Sequence, residues 1–74
     1  MPRIPMSADQ IARDLTDRIA AGEYGDPGSQ LPTYATLADL YSVSESTITK
    51  VIGLLRERGV VVGVVGRGTF IASR

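Results

Sequence analysis

The stretch from Leu31 to Arg58, LPTYATLADLYSVSESTITKVIGLLRER, decides the fold. It reads as two helices separated by a tight turn, each opened by a hydroxyl residue. Thr33 is placed to cap the first and Ser44 the second, since a side-chain oxygen there accepts from one of a helix's unpaired N-terminal amides. In the turn, Tyr41-Ser42-Val43, one apolar residue must point into the angle between the helices. Leu37, Leu40 and Tyr41 give the first helix an apolar face, and Ala38 permits close approach. The second helix, over about 45–58, puts Ile48, Val51, Ile52 and Leu55 on one side. Two short helices joined this way form a helix-turn-helix unit, whose second helix fits a DNA major groove.

The opposite side of that second helix carries Glu45, Ser46, Thr49, Lys50, Gly53, Arg56 and Glu57. Its first turns are small and hydroxylic, which lets a helix sit deep in a groove, with Ser44, Ser46 and Thr47 able to donate to phosphate oxygens or base edges. The plainer alternative is that Ser44 and Thr47 only cap, and that Ser46, Thr49 and Lys50 form an ordinary wet surface. Gly53 costs the helix up to about 1 kcal/mol against alanine, so it is expected to mark a close backbone contact.

Outward toward the N-terminus, Pro32 stops any strand pairing and lets Thr33 start its helix. Ser29-Gln30-Leu31 is too short for a free strand but can add to a small sheet. Gly25-Asp26-Pro27-Gly28 is a turn, with Tyr24 packing under it. Before Gly22 lies another helix, opened by Ser7 with Gln10 three residues on as a capping box. Ile11, Leu15 and Ile19 form its core stripe, with Ala8, Ala12 and Ala20 beside them. Asp9, Arg13, Asp14, Asp17 and Arg18 read as a solvated face, with Asp14 and Arg18 an i,i+4 pair. Residues 1–6 hold two prolines and no period. They are expected to be a flexible arm, whose Arg3 is either solvated or within reach of a DNA backbone.

Outward toward the C-terminus, Gly59 ends the second helix of the unit and the period switches to strand. Val60–Val64 and Thr69–Ile71 flank Val65-Gly66-Arg67-Gly68, a hairpin tip in which glycines permit positive φ and a cation reaches solvent. A hairpin at this place forms a wing beside the recognition helix, where Arg67 can meet the minor groove or a phosphate. By itself, Gly-Arg-Gly is equally a plain turn. The expected fold is mainly α with a small β wing: a winged helix-turn-helix of three helices, a β-hairpin and a short extra strand over 7–72. Residues 73–74 form a tail or the start of a linker.

Composition narrows the function. Seventy-four residues support one small core. With neither cysteine nor histidine, disulfides, thiolate nucleophiles, the usual zinc sites and a histidine base are excluded, and no nucleophile, base and oxyanion-donor set can be assembled. No cofactor or enzymatic role is expected. The longest apolar run is far too short to span a bilayer and no signal pattern opens the chain, so a cytoplasmic protein is expected. The formal net charge of zero weighs against nucleic-acid binding. Its distribution answers in part: residues 1–40 carry three positive and six negative charges, and residues 41–74 five positive and two negative.

The residues also resemble a family, the N-terminal DNA-binding domain of GntR-type bacterial transcriptional regulators, over about 11–72. The resemblance rests on Arg18-Ile19 with Gly22-Glu23-Tyr24, on Pro27-Gly28-Ser29-Gln30-Leu31-Pro32, on Leu37-Ala38 and Tyr41, on Val43-Ser44 with Thr47-Ile48, on Leu54-Leu55 through Gly59, and on Gly66-Arg67-Gly68-Thr69-Phe70. It implies sequence-specific binding of double-stranded DNA by a regulator, expected to be a repressor. The partner is then a palindromic operator bound by a homodimer, and an effector ligand enters only through a C-terminal domain of a longer protein. The candidate DNA-binding residues are Thr33, Ser44, Glu45, Ser46, Thr47, Thr49, Lys50, Gly66, Arg67 and Gly68.

Departures from the family pattern fall where it matters. The family often has arginine where Ala35, Glu45 and Thr49 stand here, and Glu45 sets a negative charge where a cation is expected. Ser42 replaces the glycine usual in the turn, which serine tolerates if its backbone stays at negative φ. These departures and the neutral charge motivate the alternative reading, a winged helix used for protein–protein interaction.

Overall fold

A computed structural model describes residues 6–72. It contains three helices, α1 (Ala8–Ala20), α2 (Tyr34–Tyr41) and α3 (Glu45–Glu57), followed by strands β1 (Val61–Val64) and β2 (Gly68–Ile71). Most of the expected arm and all of the expected tail lie outside the described residues.

Each helix starts on a hydroxyl. Ser7, Thr33 and Ser44 accept from the amides of Gln10, Thr36 and Thr47, and Gln10 returns the bond to the Ser7 amide, completing the capping box. Each helix also ends alike. A residue with positive φ donates its amide three residues back, and the next amide reaches five back: Gly22 to Ile19 and Glu23 to Arg18, Ser42 to Asp39 and Val43 to Ala38, Gly59 to Arg56 and Val60 to Leu55. This closure needs a left-handed backbone, which glycine adopts without a Cβ clash.

Ser42 therefore does not meet the condition, a negative φ, under which serine would tolerate this place. Its φ is 55°, the one positive value among described non-glycine residues, because a three-residue turn reverses the chain only through this closure. Ser42→Gly is expected to stabilise the domain by about 0.5–1 kcal/mol, relieved strain outweighing glycine's larger unfolded-state entropy. A melting curve should shift upward by about 2–8 °C.

The core forms where α1 and α2 pack on α3. Ile11, Ala12 and Leu15 meet Leu37 and Ala38, and Ile48, Val51, Ile52 and Leu55 of α3, with Leu31, Val61 and Ile71 closing it from the sheet side. Leu40 is an exception to the expected apolar face of α2, being half exposed. At 100° per residue the buried arc runs from Leu37 through Tyr41 to Ala38, which turns Leu40 away from it. Ala20 is exposed too, in the last turn of α1, where the core has ended. Tyr24, expected under the turn, packs partly buried against the core.

One polar contact ties α1 to α2 at the core's edge. The Tyr41 hydroxyl donates to Asp14 Oδ2 at 2.7 Å, Arg18 Nε donates to the same oxygen at 2.7 Å, and the Arg18 guanidinium lies 6.0 Å from the Tyr41 ring centre. The hydrogen bond from Tyr41, then that from Arg18, holds the Asp14 carboxyl below its ordinary range, while burial and Asp14 push Tyr41 up. A carboxylate depressed in the folded state stabilises the fold above its unfolded pKa, and the contribution is lost as pH falls through the folded value. Tyr41→Phe is accordingly expected to cost about 1 kcal/mol at neutral pH, a modest figure because Asp14 is partly solvated. The deficit should shrink as urea denaturation is repeated below about pH 4.

The strands pair antiparallel in the register Val61↔Ile71, Val62↔Phe70, Gly63↔Thr69 and Val64↔Gly68. At the tip, the Arg67 amide donates to the Val64 carbonyl at 3.0 Å, with Gly66 at φ 78°. Along the other edge of β2, the expected extra segment pairs through backbone bonds: Gly28 to the Ile71 carbonyl, Ile71 to that of Ser29, and Leu31 to that of Thr69, with a bridge at Gln30 and Phe70. The base of the wing is thus three chains wide.

Candidate nucleic-acid interface

Two groups of the expected residues come together. The first is the start of α3, where Ser44, Glu45, Ser46, Thr49 and Lys50 are exposed and Thr47 half-buried. Its hydroxyls are partly occupied. Ser44 Oγ and Thr47 Oγ1 lie 3.2 Å apart, so one donates to the other and the pair keeps one free O–H. Thr49 Oγ1 donates to the Glu45 carbonyl at 3.0 Å, so its proton is already taken. Glu45 is in the first turn, where the positive end of the helix favours an acid.

The second group borders a hollow of about 640 Å³ between the start of α2 and the wing, to which Thr33, Gly66, Arg67 and Gly68 all contribute. Thr33 Oγ1 caps α2 and shares a 2.9 Å hydrogen bond with Thr36 Oγ1. Gln30 braces the wing from below, its Nε2 donating to the Arg67 carbonyl at 2.8 Å. Gly68, at φ 116°, leaves room for that amide; a Cβ there would lie 2.7 Å from Gln30 Nε2. Val65 rather than Arg67 alone marks the tip, being fully exposed.

Ala35 is exposed on α2 but does not border the hollow. Gly53 does not match its expectation either: a Cβ there would meet nothing within 4 Å, so no close contact inside the chain requires it. Four residues after Thr49, it lies on the outward side of α3.

The charges resolve the puzzle of neutrality. On the described residues Arg13 pairs with Asp9, Arg18 with Asp14 and Glu23, and Arg58 with Asp9. These pairs are on α1 and beside it. The three cations without a carboxylate within 4.0 Å are Lys50 and Arg56 on α3 and Arg67 on the wing. The chain spends half of its described cations on its own acids, and the other half are exposed on α3 and the wing. Two residues here were not among the candidates: Gln30, legible only once the wing's pairing is known, and Arg56, whose spacing of seven from Thr49 already placed it on the same helix face.

Comparison with known proteins gives one consistent picture. The profile of bacterial regulatory proteins of the gntR family matches residues 7–71. A probable fructoselysine utilization operon transcriptional repressor of Escherichia coli K12 is 41% identical over 64 residues, covering 86% of this chain and 26% of that protein. Among solved structures, YydK of Bacillus subtilis, a possible transcriptional regulator, superposes with a TM-score of 0.82 at 34% identity, over 93% of this chain and 31% of that one. AraR(DBD) in complex with operator ORX1 superposes with the same TM-score at 31% identity, over 97% of this chain and 93% of that one. The chain spans 13% to 26% of the length of the curated relatives it matches.

Proposed function

Because this chain belongs to the gntR family of bacterial regulatory proteins, we propose that it is the double-stranded DNA reader of a cytoplasmic transcriptional repressor. The helix at 45–57 enters the major groove, and the wing around Arg67 meets the adjoining minor groove or its backbone. The observation carrying this reading is the segregation of cations: among the described residues, those in no ion pair are Lys50 and Arg56 on α3 and Arg67 on the wing, in a chain whose net charge is zero. A neutral protein binds a polyanion when its charges are so sorted, since affinity follows the phosphates neutralised rather than the total.

Ser46, the free hydroxyl of the Ser44–Thr47 pair and the Thr49 methyl supply base-edge contacts, the last suited to a thymine methyl. Glu45 accepts from cytosine N4 or repels a nearby phosphate. One small domain offers few phosphate contacts, so useful affinity comes from two copies on a palindromic operator, with any effector bound by further parts of a longer protein.

The test is a titration against random duplex DNA at several salt concentrations. Affinity should fall linearly in the logarithm of salt, and Lys50→Ala and Arg67→Ala should each flatten the slope by about 0.9. Undetectable binding even at low salt would defeat the proposal and leave protein–protein interaction as the better use of this face.

A further inference from the structure

The run Val60–Val65 is broken by a single glycine, Gly63. Its φ lies outside the left-handed range, so its backbone is one that any residue adopts, and it pairs with Thr69 as an ordinary strand residue. A glycine in such a place weakens the strand and is explained by close approach of another group. Here that group is Arg56. A Cβ on Gly63 would lie 3.3 Å from Arg56 Nη2 and 3.6 Å from Cζ and Nε. The guanidinium thus lies alongside the wing strand in space that a side chain would occupy, although it comes from the penultimate residue of α3.

That position borders the 640 Å³ hollow, which Arg56 and Arg67 both line together with Thr33, Tyr34 and Gln30, with no carboxylate among its lining residues. Major and minor grooves of a duplex are separated by one sugar–phosphate strand. A helix in the first and a wing in the second therefore straddle that strand, which must pass through the gap between them. In this chain the hollow, bordered by the wing, the start of α2 and Arg56 at the end of α3, is the recess beside that gap.

Resting on the DNA-binding reading above, we infer that the hollow bordered by the wing, the start of α2 and the end of α3 seats a phosphodiester of the intervening strand, with Arg56 as a phosphate-contacting residue and Gly63 as the position that makes room for its guanidinium. Arg56 follows Thr49 by seven residues, about 10 Å further along the same helix face, so the first turns of α3 meet bases while its last turn holds backbone. This supplies from the end of α3 a cation that Glu45 and Thr49 do not supply from its beginning, nor Ala35 from α2.

Four forms of the protein test the inference by salt titration on one duplex: the parent, Arg56→Ala, Gly63→Val, and the two together, with Arg56→Lys as a charge-conserving control. All change exposed positions, and valine suits a strand, so melting curves should show each variant folded. Arg56→Ala should flatten the slope by about 0.9, narrowing its deficit against the parent about 3.5-fold between about 50 and 200 mM salt. Arg56→Lys should retain the slope. Gly63→Val should weaken binding in the parent and change nothing once Arg56 is alanine. If the parent binds with a salt-dependent slope and Arg56→Ala keeps that slope in full, the inference is overturned while the DNA reading stands. Additive effects of Gly63→Val and Arg56→Ala would overturn the role given to Gly63. Failure of the parent to bind would instead defeat the DNA reading.

Discussion

Leu55→Ala is expected to unfold much of this domain. Leu55 is fully buried in the last turn of α3, in the same core as Leu15, Ile52 and Val61, and α3 is the helix against which the other two pack. Removing its side chain forfeits the burial of three carbons and leaves a cavity that surrounding helices cannot close without moving, a loss of about 2–5 kcal/mol. A domain of this size has roughly 4–11 kcal/mol in all. The melting temperature should fall by about 10–30 °C, with a lower denaturation midpoint and little change in slope. A variant melting within a few degrees of the parent would mean that Leu55 is not where the core is tightest.

The largest expected gain in binding comes from Glu45→Arg. Glu45 is exposed in the first turn of α3, and Thr49 bonds to its backbone carbonyl rather than to its carboxylate, so the substitution leaves that contact intact. It removes a negative charge and adds a positive one where α3 would enter the groove. If one new phosphate contact forms, affinity for random duplex DNA should rise about tenfold near 0.1 M salt and the slope should steepen by about 0.9. The same change should slightly lower stability, by about 0.3–1 kcal/mol, because the positive end of a helix favours an acid there. Binding and stability thus move in opposite directions, which a general improvement in folding would not produce. Unchanged affinity would place Glu45 away from DNA.

Elements with strong local causes were legible in the sequence. Ser7, Thr33 and Ser44 announce helix starts because a hydroxyl has an intrinsic partner there, and Ile48, Val51, Ile52 and Leu55 announce a buried face because only one arc of a helix can be apolar and covered. The wing was legible because the period changes at Gly59. What escaped depends on the third dimension. The φ of Ser42 follows from the closure that a short turn demands, not from any preference of serine. Leu40 is apolar and still exposed, because an eight-residue helix buries less of its circumference than its composition suggests.

Within the interface, Ser44, Ser46, Thr47, Thr49 and Lys50 could be placed on one end of α3 from spacing alone. Of the ion pairs, Asp14 with Arg18 was legible as an i,i+4 pair and is formed, whereas the pair that uses up Arg58 was not, since Arg58 finds Asp9 across forty-nine residues of chain. Nor could the sequence assign Gly63, whose meaning depends on a guanidinium from the preceding helix lying against it.

The backbone bonds between residues 28–31 and β2 also set an order of events. Each joins amides and carbonyls roughly forty positions apart, whereas the caps and closures of the helices join groups within six. Long loops are entropically costly to close before their contacts form, so the helices can take shape early and the base of the wing must wait until both segments have been brought together. Gln30 and Arg67 acquire their mutual contact only at that late stage. Newly made chains are therefore expected to carry α3 before the base of the wing is braced, and pulse-labelled amide exchange should find Leu31 and Ile71 protected later than the amides within α3.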